Sequence, residues 1–175
     1  TNDDSPNLGG FPTQQSTNIG TDVTLKIARN APTFPATTAN IAVYRMGYYG
    51  GIGARLVHSK TGVTINNDFT CKAMDANTGK VDCGNWQNTY TIPGSAFPAS
   101  GIYLAKVTAS SGEQTHILFT IRDDSRNPQS QVYFVLPTAD YNAYNTFGGK
   151  SLYFGTQGGN TASGGPSGGP GSVPP

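Results

Sequence analysis

The chain has 175 residues, enough for one domain with a real core plus tails and too few for two ordinary domains. Charged residues make up 12% of it and the net charge is +1 with no basic cluster, which excludes an electrostatic footprint for nucleic acid or an anionic membrane. No run approaches the roughly 20 apolar residues of a membrane-crossing helix, and the wealth of Gly, Ser, Thr and Asn suits an all-β extracellular protein.

Residues 1–20 are polar, carry Pro6, Pro12 and a Gly9-Gly10 pair, and have neither helical nor strand period. They predict an extended arm or an edge segment. A start at "TNDDSPN" rather than Met predicts a mature secreted product from which a leader has been removed. Alternation then becomes legible, with Val23, Leu25 and Ile27 facing one way and Thr24, Lys26 and Ala28 the other. "NAPTFPATTAN" turns the chain, its prolines excluding helix. Ile41, Val43 and Arg45 alternate with Ala42, Tyr44 and Met46 in a second strand.

Further strands are predicted at 55–60, 63–66, 86–92, 101–109, 115–122 and 132–136, with turns at Gly62, Pro93-Gly94, Ser111-Gly112 and Asn127-Pro128. Seven to eight short strands with Gly/Pro punctuation and no convincing helix predict an all-β fold, an immunoglobulin- or fibronectin-like β-sandwich. Trp86, opening a strand just after Cys83, reads as a core pillar or as an exposed binding platform. After the sandwich (21–136), residues 137–154 are aromatic-rich but alternate poorly, and 155–175 have the composition of a flexible linker.

The two cysteines, Cys71 and Cys83, flank a segment whose Asn77, Thr78 and Gly79 are turn residues. A hairpin there would let the sulfurs bond, stabilising by about 2 to 3 kcal/mol and implying an oxidising compartment, hence an extracellular or cell-surface location. With no third cysteine and no neighbouring histidine, a structural zinc is not expected. His58 and His116 fall in separate strands, as half-buried histidines or as ligands. Asp123 and Asp124 could bind calcium, or form a turn in which one pairs with Arg122 or Arg126. No N-x-[ST] acceptor occurs, whereas Ser and Thr beside Pro in the tail leave O-glycosylation open. No G-x-S-x-G elbow places a serine on a strained strand-to-helix turn, and no G-x-x-x-x-G-K-[ST] phosphate loop is present.

The stretch "VYRMGYYGGIGARLV" sets four glycines among large rings. Either the glycines shape a broad turn that the tyrosines cover, or Tyr44, Tyr48, Tyr49 and Arg55 form a small platform on which a sugar could stack.

The blocks "YRMGYYGGIGARLV", "CGNWQNTYTIP", "SGIYLAKVTA", "THILFTIRDD" and "YNAYNTFGGKSLY" together resemble the N,N-dimethylformamidase large (beta) subunit-like family, in the family's order over about residues 21–154. The resemblance implies a sandwich that precedes a larger α/β domain carrying the hydrolytic site, with "YNAYNTFGGKSLY" at that domain's opening. It also implies amidohydrolysis at an iron held by tyrosine and carboxylate side chains, which draws attention to Tyr141 and Tyr144. No glutamate follows Glu113, and the last carboxylate side chain is Asp140, so the chain departs from that pattern where the ligand set would be completed. The resulting expectation is a non-catalytic sandwich with no cofactor and no metal. It would act as a surface or filament subunit whose arm and tail reach copies of itself or another surface protein, with Tyr141, Tyr144, Phe147, Tyr153 and Phe154 as interface residues. An accessory segment of an amidohydrolase and a glycan-binding module are the alternatives.

Overall fold

A computed structural model of the chain describes residues 5–31, 33–73, 75, 81–125 and 133–144. Among them the chain builds nine strands: β1 (Leu8–Pro12), β2 (Ser16–Asn18), β3 (Val23–Arg29), β4 (Thr38–Met46), β5 (Ala54–Thr64), β6 (Asn67–Asp68), β7 (Tyr90–Ile92), β8 (Gly101–Ala109) and β9 (Gln114–Arg122). They form two sheets, and the protein is an all-β sandwich. One sheet has the order β2-β9-β8-β4-β5; in the other, β3 lies between β1 on one side and β6 and β7 on the other. The β2–β9 and β3–β6 pairs are parallel and the rest antiparallel.

Strict alternation builds the core. Val23, Leu25 and Ile27 of β3, Ile41 and Val43 of β4, Tyr103, Ala105 and Val107 of β8, and Ile117, Phe119 and Ile121 of β9 are buried together between the sheets. Each large aliphatic or aromatic side chain so buried is worth about 1.5 to 3 kcal/mol. Phe97 stands edge-on to Tyr103 and Phe119, with ring centroids 5.2 and 5.8 Å away, the arrangement that aromatic quadrupoles favour. The Tyr103 hydroxyl donates to the Ala99 carbonyl, and burial pushes its pKa up.

Several elements differ from their sequence-based expectations. Residues 8–18, expected as an extended arm or an edge segment, supply an edge strand to each sheet, because β1 pairs with β3 and β2 with β9. The segments 55–60 and 63–66 are one strand, not two. Between the pairs Ala39↔Val63 and Ile41↔Lys60 the register shifts, so Thr61 and Gly62 together face Asn40. Gly62 takes the positive φ of 65° that this bulge requires, and its N–H donates to Asn40 Oδ1 at 3.0 Å. Of 86–92 only Tyr90–Ile92 is strand, because Trp86 lies in a turn closed by its N–H on the Cys83 carbonyl at 3.0 Å.

At the far end, residues 133–136 make no strand, and a helix, α1 (Thr138–Tyr144), follows them. The tip of the expected hairpin between the cysteines, the expected interface residues Phe147, Tyr153 and Phe154, and the tail 155–175 lie outside the described residues.

A second, smaller cluster lies on the outer face of the β3 sheet. Phe11, Ala28, Cys83 and Trp86 are buried there, with Phe69, Cys71 and Val81 packed against them. Trp86 is 5.5 Å from Phe11 and 6.0 Å from Phe69 between ring centroids, and its Nε1–H donates to the Thr70 carbonyl at 3.2 Å. Cys71 and Cys83 are joined as a disulfide, so the segment that carries Trp86 is fastened over its own sheet.

Candidate functional site

The glycine-rich stretch is the connection from β4 to β5. Tyr49 holds a positive φ of 41°, and Gly50, Gly51 and Gly53 follow at 69°, 94° and 84°. Ile52 between them returns to a φ of −73°, and the positive φ on either side of it tolerates few residues other than glycine. The turn closes through Gly51 N–H to the Tyr48 carbonyl at 2.8 Å and Gly47 N–H to the Gly53 carbonyl at 3.0 Å.

Tyr49 lies over Gly47, whose hydrogen leaves the room a Cβ would fill at 3.0 Å from Tyr49 Cε2. Its hydroxyl accepts from Arg45 Nη1 at 2.7 Å, while Arg45 Nε and Nη2 donate to the Ser100 carbonyl at 3.1 and 2.7 Å. Arg45 therefore ties the loop to the start of β8. Sequence reasoning had placed it only as an alternating strand residue.

The four residues of the proposed platform do not converge. Tyr44 and Tyr49 are half-buried, Arg55 is exposed in the register position opposite Arg45, and Tyr48 projects into solvent at 82% exposure. One free ring is a small stacking surface. Tyr44 instead belongs to a different feature, a row in register across four strands. Leu118 of β9 faces Leu104 of β8, Leu104 faces Tyr44 of β4, and Tyr44 faces Leu56 of β5, all on the side away from the core. Leu56 and the nearby Met46 are exposed. Sequence reasoning missed this row, although its signal is present: "VY" at 43–44, "IYL" and "ILF" put large apolar side chains at both parities of a strand, as happens when both faces are to be covered.

The remaining candidates are structural in their surroundings. His58 Nε2 and the Tyr90 hydroxyl are 2.9 Å apart, joining β5 of one sheet to β7 of the other. His116 faces Lys106 across the β8–β9 pair. Arg122 binds the Asp124 carboxylate at 3.0 Å, which holds that carboxyl below the usual range, and Asp123 accepts from the Ser125 N–H. The turn reading of this aspartate pair thus describes it.

A polar groove of about 260 Å³ is lined by Arg29, Asn66, Asp68, Asn85, Trp86 and Gln87 among others. Asp68 Oδ1 accepts the Thr70 N–H at 2.9 Å, the main reason its pKa is lowered. An ionised aspartate, a guanidinium and amides can hydrogen-bond a small polar molecule, but they offer no nucleophile paired with a base.

Tyr141 and Tyr144 sit three residues apart on α1, 52% and 60% exposed. Among the described residues no group of three or more His, Cys, Asp or Glu side chains could hold a metal ion. No helix among the described residues is long and apolar enough to cross a membrane.

Compared with known proteins, residues 40–167 match the family model described as N,N-dimethylformamidase beta subunit-like, C-terminal. The match runs without a break from β4 through α1. No curated protein matches the chain.

Proposed function

The chain belongs to the N,N-dimethylformamidase beta subunit-like family, and from that premise we propose that it is a non-catalytic sandwich module of this amidohydrolase-related group. It works by contact with another polypeptide surface. The observation that carries this reading is the exposure of Tyr133, Phe134 and Val135, which stand 91%, 63% and 68% open to solvent just beyond the sandwich. A contiguous apolar run of this kind marks an interaction surface.

The test is amide turnover by the purified 175-residue chain with and without added ferrous and ferric iron. The expected result is hydrolysis of dimethylformamide no faster than the buffer blank. Iron-dependent turnover would refute the reading. The Cys71–Cys83 bond and the low charge support an extracellular or cell-surface location for the module.

A further inference from the structure

We propose that the polar groove where β6 and the Trp86 turn meet the end of β3 is a binding site for a neutral saccharide, of the size of a single sugar ring. The inference goes beyond the reading above and does not depend on it.

The chain's own bonds hold the groove in shape. Buried Asn67 clamps the turn to the sheet: its Nδ2 donates to the Ile27 and Gln87 carbonyls at 3.0 and 2.9 Å, and its Oδ1 accepts the Gln87 N–H at 2.7 Å. The Thr70 carbonyl accepts from Asn85 Nδ2 at 3.0 Å and from Trp86 Nε1 at 3.2 Å. The Cys71–Cys83 bond fastens the same segment. A lining fixed in this way has little freedom left to lose when a ligand enters.

Several polar groups are left over for a ligand. Asn66 and Gln87 present exposed side-chain amides, each able to donate and to accept. Arg29 and Asp68 are register partners in the parallel β3–β6 pair. Exposed Asp68 takes the Thr70 N–H on Oδ1 at 2.9 Å, and a carboxylate has further acceptor sites beyond that one. Arg29 donates through Nη1 to the Phe34 carbonyl at 2.7 Å, while its buried Nε has no hydrogen-bond partner among the described residues. Native structures ordinarily avoid such an unpaired donor, so the guanidinium is not spent on the chain's own acceptors.

This lining selects the ligand. Its one cation and one anion offset each other, so the groove has no net charge to draw in an ion of either sign. Side-chain amides outnumber the charges, which suits a ligand whose groups both donate and accept, as hydroxyls do. A ring bearing several hydroxyls can donate to Asp68, accept from Arg29 and exchange bonds with Asn66 and Gln87 together. The volume of about 260 Å³ lies just below the roughly 300 to 1,000 Å³ of pockets for drug-sized ligands, which fits one ring better than a chain of them.

Nuclear magnetic resonance on the isotope-labelled full chain tests this, because the Trp86 indole N–H and the side-chain amides of Asn66, Asn85 and Gln87 report from the groove itself. The probes are glucose, galactose, mannose and xylose, with glycine as a zwitterionic comparison and acetate as an anionic one. At least one sugar should shift these signals to saturation with a dissociation constant of about 1 to 10 mM. Asn66→Ala with Gln87→Ala, both at exposed positions, should weaken that sugar at least about tenfold and leave the urea midpoint in place. Tyr48→Ala, in the β4–β5 loop, should not change the affinity.

The absence of any shift with all four sugars up to about 100 mM overturns the proposal. So does a response to glycine or acetate alone, an affinity that survives the double substitution, or one that is lost with Tyr48→Ala.

Discussion

Reducing the Cys71–Cys83 bond should destabilise the domain by about 3 kcal/mol, the chain-entropy value for a loop of this length, given a sequence separation of 12. Reduction is preferable to substitution because Cys83 is buried, 1% exposed, among Phe11, Ala28 and Trp86. Replacing it by Ser would leave a hydroxyl in an apolar cluster, and replacing it by Ala would open a cavity, each adding a cost unrelated to the cross-link. The chain's one tryptophan, Trp86, lies in the same cluster and is 3% exposed, so its fluorescence reports unfolding from beside the bond. Urea titrations with and without reductant at neutral pH should show the midpoint falling, and a thermal scan should lose about 10 °C. The slope against urea should rise in the reduced protein, because an uncrosslinked unfolded chain is more expanded and exposes more surface than a crosslinked one. Coincident midpoints, or two free thiols in the native protein, would refute the argument and remove the ground for an oxidising compartment.

Gly94→Ala should cost more than about 3 kcal/mol, because the added Cβ would lie 2.2 Å from the Gly20 carbonyl oxygen and 2.3 Å from its carbon, both backbone atoms. Gly50→Ala, at φ 69° but with nothing within 4 Å, should cost only about 1 to 2 kcal/mol; equal losses in urea titration would contradict the close approach. Tyr90→Phe removes the 2.9 Å bond to His58 and should lower stability by about 1 kcal/mol, while the same change in a His58→Ala background should cost less. Asp68 has its folded pKa lowered, chiefly by the Thr70 N–H, so its contribution is present above the unfolded carboxylate range and is lost as pH falls through the folded value. Urea midpoints between about pH 5 and pH 2 should therefore fall less steeply in Asp68→Asn than in the unmodified chain; identical slopes would show that the bond does not distinguish folded from unfolded.

The core strands were legible because their period is two. Val23, Leu25 and Ile27, or Ile117, Phe119 and Ile121, announce a half-buried strand without help from the rest of the chain. What escaped reading depended on partners distant in sequence. Residues 8–18 become strands through pairing with β3 and β9, which no local pattern in "LGGFP" encodes. Gly62 looks like a turn, but Asn40, 22 residues away, supplies the acceptor that makes it a bulge. "VYFVL" has the composition of a strand, and composition cannot report that its described residues are left unpaired.

In the loop, the sequence showed why glycines were needed but not which ring each would carry. That depended on Arg45 reaching both Tyr49 and Ser100. Arg45 was visible only as one position in an alternation.

The two outer faces differ in how they handle strands that are apolar at both parities. A strand whose two parities are both apolar is costly to leave wet, at about 25 cal/mol for each Å² exposed. The β3 sheet avoids that cost locally, since Lys26 and Thr24 stand on its outer side where Trp86 does not reach, and Ala28 and Phe11 stand where it does. Lys26 even extends its ammonium to the Gly84 carbonyl at 2.8 Å, beside the loop that brings Trp86 in. In the five-stranded sheet, among the described residues, no such loop lies over Leu104 and Leu118, which are half-buried. Its Tyr44–Leu56 pair lies toward the open edge strand β5, where two bulges interrupt the register with β4. Bulges and the basic side chains Arg55 and Lys60 on that edge discourage indiscriminate strand addition.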